Sequence, residues 1–322
     1  MARFSQAHQR RLIVTAMDRP TVALNISAVE RETGLSKDVL RMWERRYGFP
    51  KPSRDDNGER EYSPIDIGKL RAVKRLMDVG LRPGKLIGLS LPELNSMADA
   101  RAKPRDGEAA PVLERDVLAI LQSHDAGALQ HLLANLLMRQ GLQRFVLDTI
   151  TPLNRTIGDA WMRGELQVFE EHLYTEQLQI ALRTAINAFP RQTGVPRILL
   201  TTVPTEQHSL GLLMVEAIVV PEGAECLSLG PQTPLDDIRK AAVAYKIHIV
   251  ALSFSAAFPV RQATDGLTTL RKVLPPQVAL WAGGEMTRRV RRSMPGVLLL
   301  PDLASLVSGL RGWHATRVAQ PT

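Results

Sequence analysis

The chain has 322 residues, a length that predicts two or three domains, and 44% of them are hydrophobic, as in ordinary globular proteins. No apolar run reaches the length of a membrane span, the start lacks the apolar core of a signal peptide, and the single Cys226 excludes an internal disulfide framework. We therefore expect a cytoplasmic protein with no membrane partner. Residues 1–91 carry a net charge of +7 and the remaining 231 carry +1, which predicts a nucleic-acid-binding module joined to a neutral body.

The first predicted elements form a helix-turn-helix. Ser27 and Glu30 have the spacing of a capping box, Gly34 predicts a tight turn, and Ser36 caps a second helix that runs to about Arg46. Basic residues recur along this second helix. A solvated basic face on an ordinary helix would have the same pattern, so the segment that follows decides the interpretation.

Residues 54–62 (RDDNGEREY) predict a hairpin wing that turns at Asn57-Gly58, and helices over 65–79 and near 83–88 follow. The order of these elements, with the words RMWERRYGFPKP and GEREYS, resembles the MerR-family DNA-binding domain. The resemblance implies that the second helix enters the major groove of double-stranded operator DNA and that the wing contacts flanking phosphates. The implied contacts are Lys37, Arg41, Arg45, Arg54, Arg60 and Tyr62.

The rest of the chain predicts a linker and two further domains. We expect the DNA-binding domain over 1–91, a charged linker rich in Pro, Gly and Ala over 92–111, a helical bundle over 112–190 and an α/β domain over 191–322. The bundle helices are predicted over 112–123, from Asp125 to 140, after Gly141, from Pro152 to about 164, and over 167–188. The long helix that forms a coiled-coil dimer in MerR proteins has no counterpart.

Polar and glycine residues follow three of the four strands predicted in the last domain, over 197–203, 224–229, 247–252 and 278–282. They are Glu206, His208 and Gly211 after the first strand, Ser253 and Ser255 after the third, and Gly283 and Gly284 after the fourth. Forty-one residues separate Gly211 from Ser253, and 27 separate Ser255 from Gly283. Open parallel sheets bind ligands at these strand ends.

This spacing resembles that of the cobalamin-binding α/β domain, whose pattern is Asp-x-His-x-x-Gly, then Ser-x-Leu or a variant, then Gly-Gly. The resemblance implies a Rossmann-like (flavodoxin-like) parallel sheet, His208 as the lower axial ligand of cobalt, and a pocket for the cofactor's tail beside the serines and glycines. A carboxylate two residues before the ligand can hydrogen-bond its second ring nitrogen. That residue is Glu206 here rather than Asp, which changes its reach.

In the bundle, the word WMRGELQVFEEH places Glu171-His172 after Trp161 and nine intervening residues. By itself this segment is typical of a tryptophan in a helical core, with Glu171 and His172 on a solvated helix face. Before a cobalamin-type domain it resembles the cobalamin-sensing MerR photoreceptors of the CarH/LitR type. The resemblance implies that Trp161 and Val168 pack against a 5′-deoxyadenosyl group, that Glu171 hydrogen-bonds it, and that His172 shapes the same wall. Met162 stands where certain members carry a second cobalt-binding His, which argues against a bis-histidine photoproduct.

The resemblance as a whole implies a multidomain α and α/β protein that is a regulator and not an enzyme. It would be a light-responsive, adenosylcobalamin-dependent repressor, associated with the nucleoid, that binds DNA as a dark-state homo-oligomer, a tetramer in the family. Light would cleave the Co–C bond and release the DNA. Two alternatives stay open: a corrinoid methyl-carrier of a methyltransferase system, and a MerR-type regulator without cofactor. The basic amino-terminal module argues against the first, and His208 with Gly283-Gly284 argues against the second.

Overall fold

The computed structural model describes residues 23–55, 57–100, 112–190 and 194–318. The chain divides into two compact units, Met1–Lys74 and Arg75–Thr322. This division comes earlier than the domain boundary expected after residue 91, because a helix near that boundary packs against the helical bundle of the second unit. Within the described ranges no helix is long and apolar enough to cross a membrane.

The amino-terminal unit is a helix-turn-helix with a small wing. Its elements are β1 (Leu24–Asn25), α1 (Ile26–Thr33), α2 (Lys37–Tyr47), β2 (Ser53–Arg54), β3 (Arg60–Tyr62) and α3 (Pro64–Asp78), the last of which ends beyond the unit boundary. The strands form an antiparallel sheet in the order β1-β3-β2. The wing predicted from Asn57-Gly58 is confirmed.

Two local signals in this unit had different outcomes. Ser36 caps α2, as predicted, by accepting a hydrogen bond from the backbone N–H of Val39. The capping box predicted from Ser27 and Glu30 is wrong, because α1 begins two residues earlier. Its N-cap is Asn25, whose side chain accepts from the N–H of Ala28 at 2.9 Å.

The helices of the carboxy-terminal unit come first in its sequence. They are α4 (Pro83–Leu86), α5 (Leu91–Asp99), α6 (Val112–Gln122), α7 (Ala126–Gln140), α8 (Leu142–Arg144), a π-helical segment (Phe145–Ile150), α9 (Thr151–Arg163) and α10 (Val168–Asn187). The predicted linker is partly wrong, because α5, with a Ser90–Glu93 capping box, occupies its first residues. Residues 101–111 of that linker lie outside the described residues.

The helix predicted from Pro152 to about residue 164 is confirmed as α9, which begins at Thr151 and has Gly164 as its C-cap. The chain stays helical from α8 through the π-helical segment into α9. Pro152 lies in the first turn of the α-helical register, where a missing N–H is tolerated. The helices predicted over 112–123, after Asp125, and over 167–188 are confirmed.

The α/β part contains β4 (Arg197–Thr201), α11 (Leu210–Val219), β5 (Glu225–Gly230), α12 (Leu235–Ala244), β6 (Ile249–Ser253), α13 (Val260–Val273), β7 (Ala279–Gly283), β8 (Val297–Leu300) and α14 (Leu303–Val318). Its five parallel strands have the order β5-β4-β6-β7-β8. This is the flavodoxin-like arrangement that was predicted, although β8 was not. The chain passes from β4 to β5 on one side of β4, and then from β5 to β6 on the other side of β4. This change of direction places a crevice at the carboxyl ends of β4 and β6.

Alternation along the strands divides the core of this unit into two layers. Leu200 and Ala251 face α11, α14 and the bundle, whereas Leu199 and Val250 face α12 and α13. The bundle contacts the sheet layer mainly through α10, which packs on α11. Residues of α9 and of the strand ends line a common cavity at the crevice.

Candidate functional site

The loop after β4 places His208 against Glu206. Nδ1 of His208 lies 2.6 Å from Oε1 of Glu206, and the backbone N–H of His208 donates to the same oxygen at 3.1 Å. Oε2 of Glu206 accepts from the N–H and the hydroxyl of Ser255, each at 2.8 Å. The side chain of Glu206 is 2% exposed and that of His208 is 60% exposed. A buried carboxylate thus orients an accessible imidazole. The side chain of Glu206, which is longer than that of the Asp in the family pattern, still reaches the ring of His208.

The electrostatics of this contact determine the imidazole tautomer. Burial alone would raise the pKa of the Glu206 carboxyl, but hydrogen bonds from His208 and Ser255 outweigh it, and the pKa lies below its usual value. The carboxylate is therefore ionised and accepts the proton on Nδ1. The lone pair of the neutral imidazole is then on Nε2, the form in which histidine ligates a metal.

The glycines of the motif are required by close packing. A Cβ at Gly211 would lie 2.5 Å from Oγ of Ser253, closer than real Cβ atoms approach. Gly284 has φ of +101°, and a Cβ there would collide with the carbonyl oxygen of Phe254. Gly283 pairs with Ser253 across β7 and β6. The residues after these strands are therefore packed together at one edge of the sheet.

A cavity of about 670 Å³ lies between α9 and the carboxyl ends of the central strands. This volume is in the range of pockets that hold organic ligands. Of the predicted site residues, those that line it are Trp161, Ser253, Gly283 and Gly284. The rest of the predicted cofactor set, including His208 and Glu206, lies outside its lining.

The predicted wall residues on α10 have neighbours on their own helix. Glu171 accepts a hydrogen bond from the hydroxyl of Thr175 at 2.8 Å, and its other oxygen lies 3.8 Å from Nε2 of His172. Val168 is half-buried and His172 is exposed. These three predicted residues do not line the cavity, and their contact with a ligand stays a prediction.

The cavity also has lining residues that were not predicted. Asn154 and Gly158 lie on the same face of α9 as Trp161, at spacings of four and three residues. That helical spacing from Trp161 could have identified them. Trp281, a core residue of β7, has no such signal, because its alternation matches that of any buried strand.

The basic residues of the amino-terminal unit lie mostly at its surface. Arg45 and Arg54 are exposed, and Arg54 donates to the carbonyl oxygen of Gly58 at 2.6 Å within the wing. Arg60 forms an ion pair of 2.8 Å with Glu44, which links the wing to α2. Two more basic side chains of α2 have acidic neighbours: Lys37 beside Glu30 at 3.7 Å and Arg41 beside Asp38 at 3.3 Å.

The predicted DNA contact of Tyr62 is wrong. Its side chain is fully buried, and its hydroxyl has no hydrogen-bond partner in the described part of the chain. Burial raises the pKa of this hydroxyl. Tyr62 and Arg60 are two apart on β3 and lie on the same face of the strand, and Tyr62 is buried in this unit, as are Trp43 and Leu40. Tyr62 is therefore a packing residue.

A winged helix-turn-helix unit, followed by a bundle and a flavodoxin-like sheet with an oriented histidine, defines a DNA-binding regulator with a corrinoid-type ligand domain. Residues 24–89 match the MerR HTH family of regulatory proteins, and residues 113–185 match the B12 binding domain. The repressor CarH of Myxococcus xanthus is 30% identical over 280 residues, 84% of this chain and 91% of that protein. The repressor CarA of the same organism is 29% identical over 238 residues, 73% and 78% of the two chains. The chain belongs to the CarH family of MerR-type, B12-binding transcriptional regulators.

Among solved structures, the monomethylamine corrinoid protein of Methanosarcina barkeri is 13% identical, with a TM-score of 0.47, over 61% of this chain and 95% of that one. The relatives CarH and CarA are transcriptional regulators, and the methyl-carrier alternative is not supported by them.

The described residues fit a corrinoid. Among them no cluster of three or more His, Cys, Asp or Glu side chains could hold a bare metal ion. A cobalt already held by a corrin ring needs one protein nitrogen, and His208 is oriented to supply it. Gly211 and Gly284 keep side chains away from the strand ends, where a bulky group needs close approach to the backbone.

Proposed function

We propose that this protein is a light-responsive, adenosylcobalamin-dependent repressor that binds operator DNA as a dark-state homo-oligomer and releases it on illumination. The observation that carries the proposal is the hydrogen bond between the buried, ionised Glu206 and Nδ1 of His208. The carboxylate accepts four hydrogen bonds, two from His208 and two from Ser255. It is thereby fixed in place and orients one accessible imidazole, as a metal site with a single histidine ligand requires.

The ligand would be held from two sides. His208 would bind cobalt from the loop after β4, and the packed residues Gly211, Ser253, Ser255, Gly283 and Gly284 would receive the tail. Trp161 offers an aromatic face from α9, and Val168, Glu171 and His172 on α10 would complete the wall. When bound, adenosylcobalamin supplies a Co–C bond that light breaks.

The protein would convert occupancy of this cavity into assembly. A ligand shifts an equilibrium only by its differential affinity for the two states, and a full switch needs a difference of about 5.5 kcal/mol. The cavity lies between α9 and the strand ends, so a group that fills it contacts both the bundle and the sheet. Packing of the ligand against the half-buried ring of Trp161 would supply part of that difference.

The DNA side of the proposal follows from charge and from the relatives' roles. CarH and CarA are named as transcriptional repressors. The exposed basic residues of α2 and the wing, among them Arg45 and Arg54, provide cations for phosphates. Binding of chromosomal operators would place the protein at the nucleoid. Oligomerisation would let several such modules engage one operator, so that loss of assembly weakens DNA binding.

The test uses purified protein loaded with adenosylcobalamin in the dark. Size-exclusion chromatography with light scattering should give a larger mass in the dark than after illumination, and operator fragments should bind only the larger form. Hydroxocobalamin, which has no Co–C bond to an alkyl group, should give no light effect. The proposal fails if mass and DNA affinity are the same in the dark and in the light.

Two variants separate ligand binding from assembly. His208→Ala should weaken corrinoid binding and abolish the spectrum of a nitrogen-ligated cobalt. Trp161→Ala should load cobalamin but not form the dark oligomer. Phe169→Ala is the matched control for the second variant, because Phe169 is a bundle aromatic that is 56% exposed and does not line the cavity. An oligomer that forms normally with Trp161→Ala would contradict the role given to α9.

A further inference from the structure

Gly158 occupies the middle of α9 without a packing reason. Its φ is not in the left-handed region. A Cβ built there would meet no atom of the described residues within 4 Å, apart from its own chain neighbours and helix backbone. Glycine in a helix interior lowers stability relative to alanine. Because Gly158 lines the cavity, the space beside it is available to a ligand.

One turn earlier, Asn154 presents a fixed amide at the same wall. The hydroxyl of the buried Tyr174 donates to Oδ1 of Asn154 at 2.6 Å. Nδ2 then donates to Sδ of Met214 at 3.4 Å, and Met214 also lines the cavity. A thioether is a weak acceptor, so the amide nitrogen remains a strong donor for an oxygen or nitrogen of a ligand.

The two residues and Trp161 form one stripe along α9. Their spacing of four and three residues places a donor, a bare stretch of helix and an aromatic ring on the same face. His208 follows one of the strand ends, whereas α9 lies across the cavity from those ends. If His208 held a corrin at the strand ends, the stripe on α9 would be on the side of its upper axial group.

We propose that Asn154 and Gly158 are specificity-determining residues for a nucleoside as the upper axial group. Gly158 lets a flat ring lie against the backbone of α9, and Asn154 donates a hydrogen bond to the nucleoside. The inference rests on the proposed binding of adenosylcobalamin. It adds residues one and two turns before Trp161 that recognise the upper group and not the corrin.

The test compares adenosylcobalamin with hydroxocobalamin, whose upper group is small, by absorption titration in the dark. Gly158→Ala should weaken adenosylcobalamin binding about tenfold or more and leave hydroxocobalamin binding within about twofold, since only the larger group needs the space. Without ligand, the same variant should raise Tm by about 1–4 °C. Asn154→Asp keeps the side-chain size and removes the donor, and should also weaken adenosylcobalamin selectively.

The matched control is Gly312→Ala in α14, where a Cβ likewise meets nothing within 4 Å among described residues and which does not line the cavity. It should change neither affinity. Equal binding of both corrinoids by Gly158→Ala and the parent would overturn the inference, and so would an equal loss of both, which would place Gly158 against the corrin. Failure of the proposed function is distinct from these outcomes, because it would show in the parent itself, as a mass and a DNA affinity that are the same in the dark and in the light.

Discussion

Replacement of Glu206 by Gln tests the contact on which the ligand site depends. The carboxylate accepts four hydrogen bonds, two on each oxygen, from His208 and Ser255. A glutamine side chain keeps one oxygen and places an NH₂ group at the other. The hydroxyl of Ser255 or the ring of His208 can change its role from donor to acceptor, but a backbone N–H on that side cannot.

The magnitude follows from that one unsatisfied donor. A buried N–H left without an acceptor costs about 1–3 kcal/mol, and we expect Glu206→Gln to lower the free energy of unfolding by that amount at pH 7. Loss of the group that orients a metal-binding histidine lowers metal affinity about 10–100-fold. Corrinoid affinity of the variant should fall by a similar factor.

The pH dependence gives a second measurement with a defined sign. The folded-state pKa of Glu206 is lowered, so its stabilisation is complete above the unfolded carboxyl pKa of about 4.3 and is lost as pH falls through the folded value. The part of the stability that comes from the ionised carboxylate, and that the variant lacks, should be lost as pH falls below about 5.

Glu216→Gln on α11 is the matched control. Burial raises the pKa of Glu216, with Arg183 opposing that effect, so ionisation of this carboxyl at pH 7 opposes folding. Its replacement should be neutral or stabilising at pH 7 and should leave corrinoid affinity unchanged. Urea unfolding and absorption titration measure both effects. If Glu206→Gln matches the parent in stability and in corrinoid affinity, the carboxylate does not orient His208 and the reasoning is refuted.

Three further substitutions test the DNA-binding unit. Arg45→Ala, at an exposed position of α2, should weaken operator binding and lower the salt slope by about one, measured by a salt titration. Arg60→Ala removes the ion pair with Glu44 and should weaken binding to specific and non-specific DNA alike. Parent-like binding to both would show that DNA binding does not depend on this ion pair. Tyr62→Phe removes a buried hydroxyl without a partner, so thermal stability should be unchanged or higher and DNA affinity should equal that of the parent.

Residues that are close along the chain allowed much of the architecture to be predicted. Ser36 and Asp125 cap helices because each side chain reaches an N–H three residues away. Asn57-Gly58 turns the wing, and a short apolar run predicts each of the strands β4 to β7. The carboxylate–histidine contact could also be anticipated, since Glu206 and His208 are two residues apart.

Only the tertiary structure decided what depends on residues distant in sequence. A cap at Asn25 instead of Ser27 follows from where α1 starts, and the burial of Tyr62 follows from packing within the amino-terminal unit, where β3 contacts α1. The order of the sheet with β8 at its edge, and the cavity that joins Trp161 to Ser253 and Gly283, are likewise products of packing. A motif's spacing specifies which side chains are present, but the direction in which a helix such as α9 turns them depends on the surfaces that it buries.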